Sequence, residues 1–236
     1  GLQWIRLLYA YPEGITDELL ALIGNSEKIV PYLDIPLQHC VPHILQNMRG
    51  RKHPLEPRAL VDRIRKTIPD VTLRTTLMVG FPGETERDFD ALLTFVRETQ
   101  FERLGVFAFS PESGTAAARM PAQVPEEEKE GRRHVLLTAQ AEISRSILAR
   151  QVGKVLPVLV EGYHPDTDLL LKGRLKCQAP EVDGAVLITE GLAGAGQIVL
   201  TRITKSHTYD LEAEVLYQED GVYGVSLPQS PEIKTL

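Results

Sequence analysis

The sequence predicts an α/β region followed by a small β-rich domain, on three observations. Up to about residue 150, short apolar strands alternate with helical stretches, the pattern of a parallel sheet with helices outside. From about Val152 the pattern becomes short strands punctuated by Gly, Pro and Asp, as in a small antiparallel barrel or sandwich. No run approaches the ~18 consecutive apolar residues of a membrane span. The expected organisation is residues 1–151, residues 152–217 and a tail over 218–236.

Each element has a local cause. Ile5–Tyr9 is a strand candidate, and Thr16-Asp17-Glu18 opens a helix carrying Leu19, Leu20 and Ile23. After the strand Tyr32–Ile35 comes a helix whose Leu60, Ile64 and Ile68 recur every four residues. Val71–Val79 is the third strand. Thr85 and Asp88 then have the spacing of a capping box, ahead of Phe89, Leu92, Leu93 and Val96. Leu104–Phe109 is the fourth strand. Glu126-Glu127-Glu128 complements the dipole at the start of a helix striped by Leu136, Ala139, Ile143 and Ile147. Five further strands are expected at Val155–Val160, Leu169–Leu175, Ala185–Ile188, Gln197–Ile203 and Leu211–Leu216.

Composition narrows the chemistry. A hydrophobic share of 43% and a charged share of 25% over 236 residues exclude disordered and fibrous classes. A net charge of −6 argues against a surface built throughout for phosphate backbones. The two cysteines, Cys40 and Cys177, lie far apart, which excludes a disulfide framework and fits a reducing, cytoplasmic setting. Two thiols cannot supply four-thiolate ligation of an iron–sulfur cluster. The chain opens Gly1-Leu2-Gln3-Trp4, with neither an initiator Met nor a signal segment, and is expected to be a piece of something longer.

In a parallel α/β sheet, ligands sit beyond the carboxyl ends of the strands. Four polar or Gly/Pro-rich segments occupy such ends: Tyr9–Pro12, Pro36–His39, Gly80–Thr85 and Ser110–Thr115. The Gly80-Phe81-Pro82-Gly83-Glu84-Thr85 turn permits close backbone approach to a flat ligand, or is simply a strand-to-helix turn capped by Thr85. His39, Cys40 and His43 suggest a metal, but no carboxylate stands at matching spacing, and a satisfied structural histidine is the commoner case. Arg74, inside an apolar strand, requires a carboxylate or anionic partner. Tyr9 and Tyr11 read as wall residues.

Taken together, these segments resemble the radical S-adenosylmethionine (SAM) methylthiotransferases. The resemblance runs along almost the whole chain, through Ile5–Pro12, Asp34–His39, Arg74–Thr85 and Phe109–Thr115. Gly173-Arg174, Ala179–Gly184 and Tyr209-Asp210-Leu211 resemble the C-terminal TRAM barrel of that family. The Pro-Leu-Gln-His and Ala-Pro-Glu-Val-Asp-Gly versions are similar to the RimO branch, which modifies an aspartate of a small-subunit ribosomal protein. Leu175 and Gln178 depart from the Ser and Asp usual in that branch.

The resemblance implies the later four strands of a six-stranded partial (β/α) barrel, then TRAM. It also implies a reaction in which one [4Fe-4S] cluster cleaves SAM to a radical and a second delivers a methylthio group. The cluster cysteines would lie upstream of Gly1, leaving this fragment without a cluster, without catalytic residues and inactive alone. Gln38 and Arg74 would anchor SAM, Gly80 and Pro82 would allow backbone approach, and Phe109 and Ser110 would meet the adenine edge. Glu84 would face the ligand or support the turn, and Glu181 and Asp183 would meet the protein substrate.

Two rivals are a MiaB-like tRNA methylthiotransferase fragment and a non-enzymatic module that binds through its β domain. Residues 152–217 carry 6 Lys and Arg against 9 Asp and Glu, a net of −3, with Tyr163, Tyr209 and Tyr217 as their only aromatics. An RNA-binding barrel should be basic or offer stacking rings, so the expected partner is a basic protein rather than nucleic acid or membrane.

Overall fold

The computed structural model describes residues 2–49, 56–218 and 221–222. It divides into two compact units, one spanning Arg6–Ser144 and one holding Arg145 onward together with the first five residues.

The first unit is organised by a four-stranded sheet in the order β1 (Ile5–Leu7), β2 (Ile29–Asp34), β3 (Thr72–Val79) and β4 (Arg103–Ala108). The β2–β3 and β3–β4 pairings are parallel, as strand–helix alternation requires. Strand β3 shows why the sheet holds. Leu73, Thr75, Leu77 and Val79 are buried, while Arg74, Thr76 and Met78 on the other face are only half-buried. Helix α3 (Pro57–Thr67) packs Leu60, Val61 and Ile64 beside Leu73 and Thr75 of the buried face. Helix α4 (Glu86–Thr99) begins with the expected capping box, Thr85 Oγ1 accepting the Asp88 amide and Asp88 accepting the Thr85 amide. Its buried apolar residues are Phe89, Leu92, Phe95 and Val96, and Phe95 meets Phe101 edge to face at 5.6 Å.

Helix α1 (Asp17–Asn25) is capped by Thr16, whose side chain accepts the Leu19 amide. A short helix α2 (Pro42–Arg49) stands between β2 and α3, where the expected reading placed no separate element. It is only eight residues long, yet Val41, Ile44, Leu45 and Met48 stand at i, i+3, i+4 and i+7, a helical apolar pattern that the reading passed over. Helix α5 (Glu126–Ala149) buries Leu136, Ala139 and Ile143 as expected, with Ile147 half-buried. It also buries Lys129, Arg132, Gln140 and Ser144, so its covered face is partly polar.

In the second unit five strands close into a barrel in the order β5 (Val155–His164), β6 (Thr167–Leu175), β7 (Val186–Glu190), β9 (Leu211–Val215), β8 (Ile198–Ser206). Closure decides between the barrel and the sandwich that the strand pattern left open. Four pairings are antiparallel and one, β7–β9, is parallel. Strand direction cannot alternate all the way round a ring of five, so one like-directed pair is unavoidable. Val158, Val160, Leu175, Val186, Ile188, Val199, Ile203, Leu211 and Ala213 fill the interior. Gly173 lies where a Cβ would stand 2.7 Å from the Leu159 carbonyl oxygen, so bare backbone is required there. Beyond the barrel, β10 (Tyr217–Gln218) and β11 (Gly221–Val222) pair antiparallel across the expected boundary between the barrel and the tail. The rest of the expected tail lies outside the described residues.

Candidate functional site

The candidate site is the less covered face and the carboxyl end of the β2–β3–β4 sheet. Registry sets its rows. Asp34, Arg74 and Arg103 are lateral neighbours, followed by Thr76 beside Gly105 and Met78 beside Phe107. The expected partner of Arg74 is present: its Nη1 lies 3.2 Å from Asp34 Oδ1. Asp34 also accepts the Tyr9 amide at 3.4 Å, and its carbonyl accepts the Ala10 amide at 2.8 Å. The Arg6 guanidinium lies 5.0 Å from the centre of the Tyr32 ring. Phe107, on the edge strand β4, is 61% exposed, unusual for a phenylalanine.

Three strand-end loops surround this face. After β2, Gln38 adopts φ +70 and is half-buried, its amide donating to the Thr76 carbonyl and its carbonyl accepting the Met78 amide. After β3, Gly80 and Gly83 adopt φ +72 and +86, which favours glycine at both. The space beside Gly80 is taken by protein: a Cβ there would stand 2.2 Å from Cγ of Lys129. Around Gly83 nothing lies within 4 Å of that position, so backbone approach is open there instead. Pro82 is buried. After β4, the Phe109 ring is buried and meets Phe81 edge to face at 5.1 Å, in a cluster with Ile44. Ser110 is exposed. Together with Phe107, Glu126, Glu130 and Arg133 it lines a cleft of about 370 Å³.

Glu84 turns inward. Its side chain is fully buried, Oε2 accepts the Gly80 amide at 2.8 Å, and Oε1 accepts from Arg132 at 2.7 Å. Burial pushes its carboxyl upward, against the opposing pull of Arg132 and the Gly80 amide. Of the two readings of Glu84, support of the turn is the one these contacts describe. His39 is also buried and neutral, its pKa lowered to about 4, chiefly by burial. Burial raises the Cys40 thiol to about 12, so it is a poor thiolate. Among the described residues no group of three or more His, Cys, Asp or Glu side chains is placed to hold a metal ion.

In the barrel, Glu181 is exposed at φ +67, whereas Asp183 is half-buried with Oδ2 accepting the Ala179 amide at 2.8 Å. Gly184 is required by proximity: a Cβ would stand 1.9 Å from the Tyr209 carbonyl oxygen. Lys129 and Arg132 escaped the sequence reading because a basic residue on a helix ordinarily signals a solvated face.

Residues 2–96 match the radical SAM superfamily, and residues 152–216 match the TRAM domain. Over 215 residues the chain is 61% identical to a ribosomal protein uS12 methylthiotransferase RimO of Syntrophobacter fumaroxidans. It is 53% identical over 216 residues to the protein of the same name in Geobacter sulfurreducens. By these matches the chain carries a radical SAM region and a TRAM region and is similar to RimO-type proteins along nearly its whole length. The aligned stretches cover 91% and 92% of this chain but 48% of each relative, so it spans about half the length of the proteins it matches. Among its described residues, no helix is long and apolar enough to cross a membrane.

Proposed function

We propose that this chain is part of an enzyme that uses SAM to add a methylthio group to the β-carbon of an aspartate in a small-subunit ribosomal protein. The carrying observation is the identity of 61% to a uS12 methylthiotransferase through both the sheet region and the barrel. The residues present suit SAM. Arg74 and Thr76 offer donors for carboxylate and ribose, Met78 and Phe107 offer apolar surface, and the Gln38 and Gly83 turns bring backbone alongside. Phe109 would contribute through its backbone, since its ring is packed against Phe81. Bound SAM, acted on by a reduced cluster, would supply the radical that removes hydrogen from an unactivated carbon. This chain's part is to hold the nucleoside and keep water from the reacting carbon.

The iron–sulfur clusters do not fit these residues, because Cys40 and Cys177 are the only thiols. Both [4Fe-4S] clusters would be held by other parts of the whole enzyme, and this chain alone would be inactive. The barrel supports a protein substrate in the cytoplasm over RNA, since a net charge of −3 repels phosphates and attracts Lys/Arg-rich surfaces.

The test incubates the full-length enzyme with SAM, a reductant, and either ribosomal protein uS12 or tRNA. A mass increase of one methylthio group on an aspartate of the protein is expected. Modification of tRNA alone would overturn the reading. In the same enzyme, Glu181→Lys should weaken binding of the basic protein and flatten its salt dependence, with Asp183→Asn as a control for the turn. Unchanged binding at low salt would remove the barrel from the docking surface.

A further inference from the structure

Three buried polar side chains join the Gly80–Thr85 and Phe109–Ser110 loops through the start of α5, and a fourth, His39 of the Gln38–His39 loop, packs against Glu84 at 3.7 Å without a hydrogen bond. Lys129 and Arg132, in the first two turns of α5, are 4% and 6% exposed. Lys129 Nζ donates to the Phe109 carbonyl at 2.9 Å and pairs with Glu126 at 2.8 Å, while its methylene stem crosses Gly80. Arg132 donates to Oε1 of Glu84 at 2.7 Å and to the Glu84 carbonyl at 3.3 Å, and its other branch meets Glu128. The second oxygen of Glu84 holds the Gly80 amide and faces His39 Nε2 at 3.7 Å. His39 Nδ1 accepts the Val41 amide at 3.0 Å, so the neutral ring carries its proton on Nε2, toward Glu84.

Stability alone does not account for this choice of residues. A buried ion pair contributes little over apolar side chains of equal volume, but its charged groups must be met by partners in fixed positions, since either one left alone is strongly destabilising. Here it joins segments that are distant in sequence, and two of them end in left-handed backbone at Gln38 and Gly80. Such a conformation at a non-glycine residue costs about 1–2 kcal/mol and persists only where the surroundings impose it.

We propose that Glu84, Arg132, Lys129 and His39 form one positioning hub that sets the Gln38–His39, Gly80–Thr85 and Phe109–Ser110 loops relative to each other and thereby sets the affinity for SAM. The inference rests on the reading of these loops as the SAM rim. None of the four acts on the ligand directly.

Two variants test it. Lys129→Met keeps a stem over Gly80 and removes the ammonium from the Phe109 carbonyl. Glu84→Gln keeps an acceptor for the Gly80 amide and removes the charge opposite Arg132. In the isotope-labelled 236-residue chain, each should shift backbone amide signals in all three loops, with a lowered Tm from the buried partner left behind but a folded spectrum retained. Shifts confined to the loop next to the substitution would overturn the hub, and if Glu84→Gln fails to fold, Lys129→Met decides. In the full-length enzyme, SAM affinity measured by equilibrium dialysis should fall about three- to thirtyfold. Loop shifts in all three segments with unchanged SAM affinity would keep the hub and overturn these loops as the SAM rim.

Discussion

His39 shows how burial turns an ordinary residue into a pH-dependent one. Its folded pKa of about 4 lies below the usual 6.5, so between those values the unfolded chain binds a proton that the folded chain refuses. Its contribution to stability is therefore full above about pH 6.5, is lost as pH falls toward 4, and changes no further below that. The whole effect is about 3 kcal/mol on the linkage relation. Glu84, raised by burial, acts with the opposite sign, losing stability as pH rises through its folded pKa. Urea unfolding at pH 7, 6 and 5 should show a steeper loss in the wild type than in His39→Gln. Parallel curves would contradict a buried neutral histidine. Gly184 offers a second test at this scale. Gly184→Ala should lower Tm by several degrees because the new methyl meets the Tyr209 carbonyl, and an unchanged melting curve would show that the turn yields instead.

At the scale of elements, the start of α4 is the clearest case of local sequence dictating structure. Thr85→Ala removes the acceptor of the Asp88 amide and one half of the capping box, and should cost about 1 kcal/mol in chemical denaturation. A loss below about 0.3 kcal/mol would mean that Asp88 alone satisfies the helix end. Strand β1 shows the reverse. Ile5–Tyr9 reads as a five-residue strand, yet only Ile5–Leu7 is extended and paired. Tyr9 turns to φ +56 so that its amide and that of Ala10 reach Asp34. A short, bent strand at a sheet edge is a poor template for pairing with another chain.

For the whole molecule, thiol count and charge carry the predictions. The 236-residue chain, reconstituted with iron and sulfide, should hold no stoichiometric cluster and show no visible absorbance from one, since two thiols cannot provide four-thiolate ligation. Stoichiometric iron after desalting would require ligands other than cysteine. Cys40 should also react slowly with a thiol reagent at pH 8, because burial holds it protonated to about pH 12.

What the sequence determined by itself was periodic or local. Leu60 and Ile64 marked the buried face of α3, Thr85 and Asp88 marked a helix start, and the change of pattern near Val152 marked the barrel. These follow from repeats of 3.6 and 2 residues and from hydrogen bonds spanning three residues, all visible in a short window. The strand-end loops were legible for the same reason, as runs of Gly, Pro and polar residues. Only the tertiary structure decided what each loop residue touches. Arg74 met Asp34 across 40 positions, Glu84 met Arg132 across 48, and Lys129 took the space beside Gly80. It also directed the Phe109 ring inward and brought the Tyr209 carbonyl against Gly184. Such pairings depend on strand register and on where α5 returns against the sheet, and neither leaves a periodic trace in the chain.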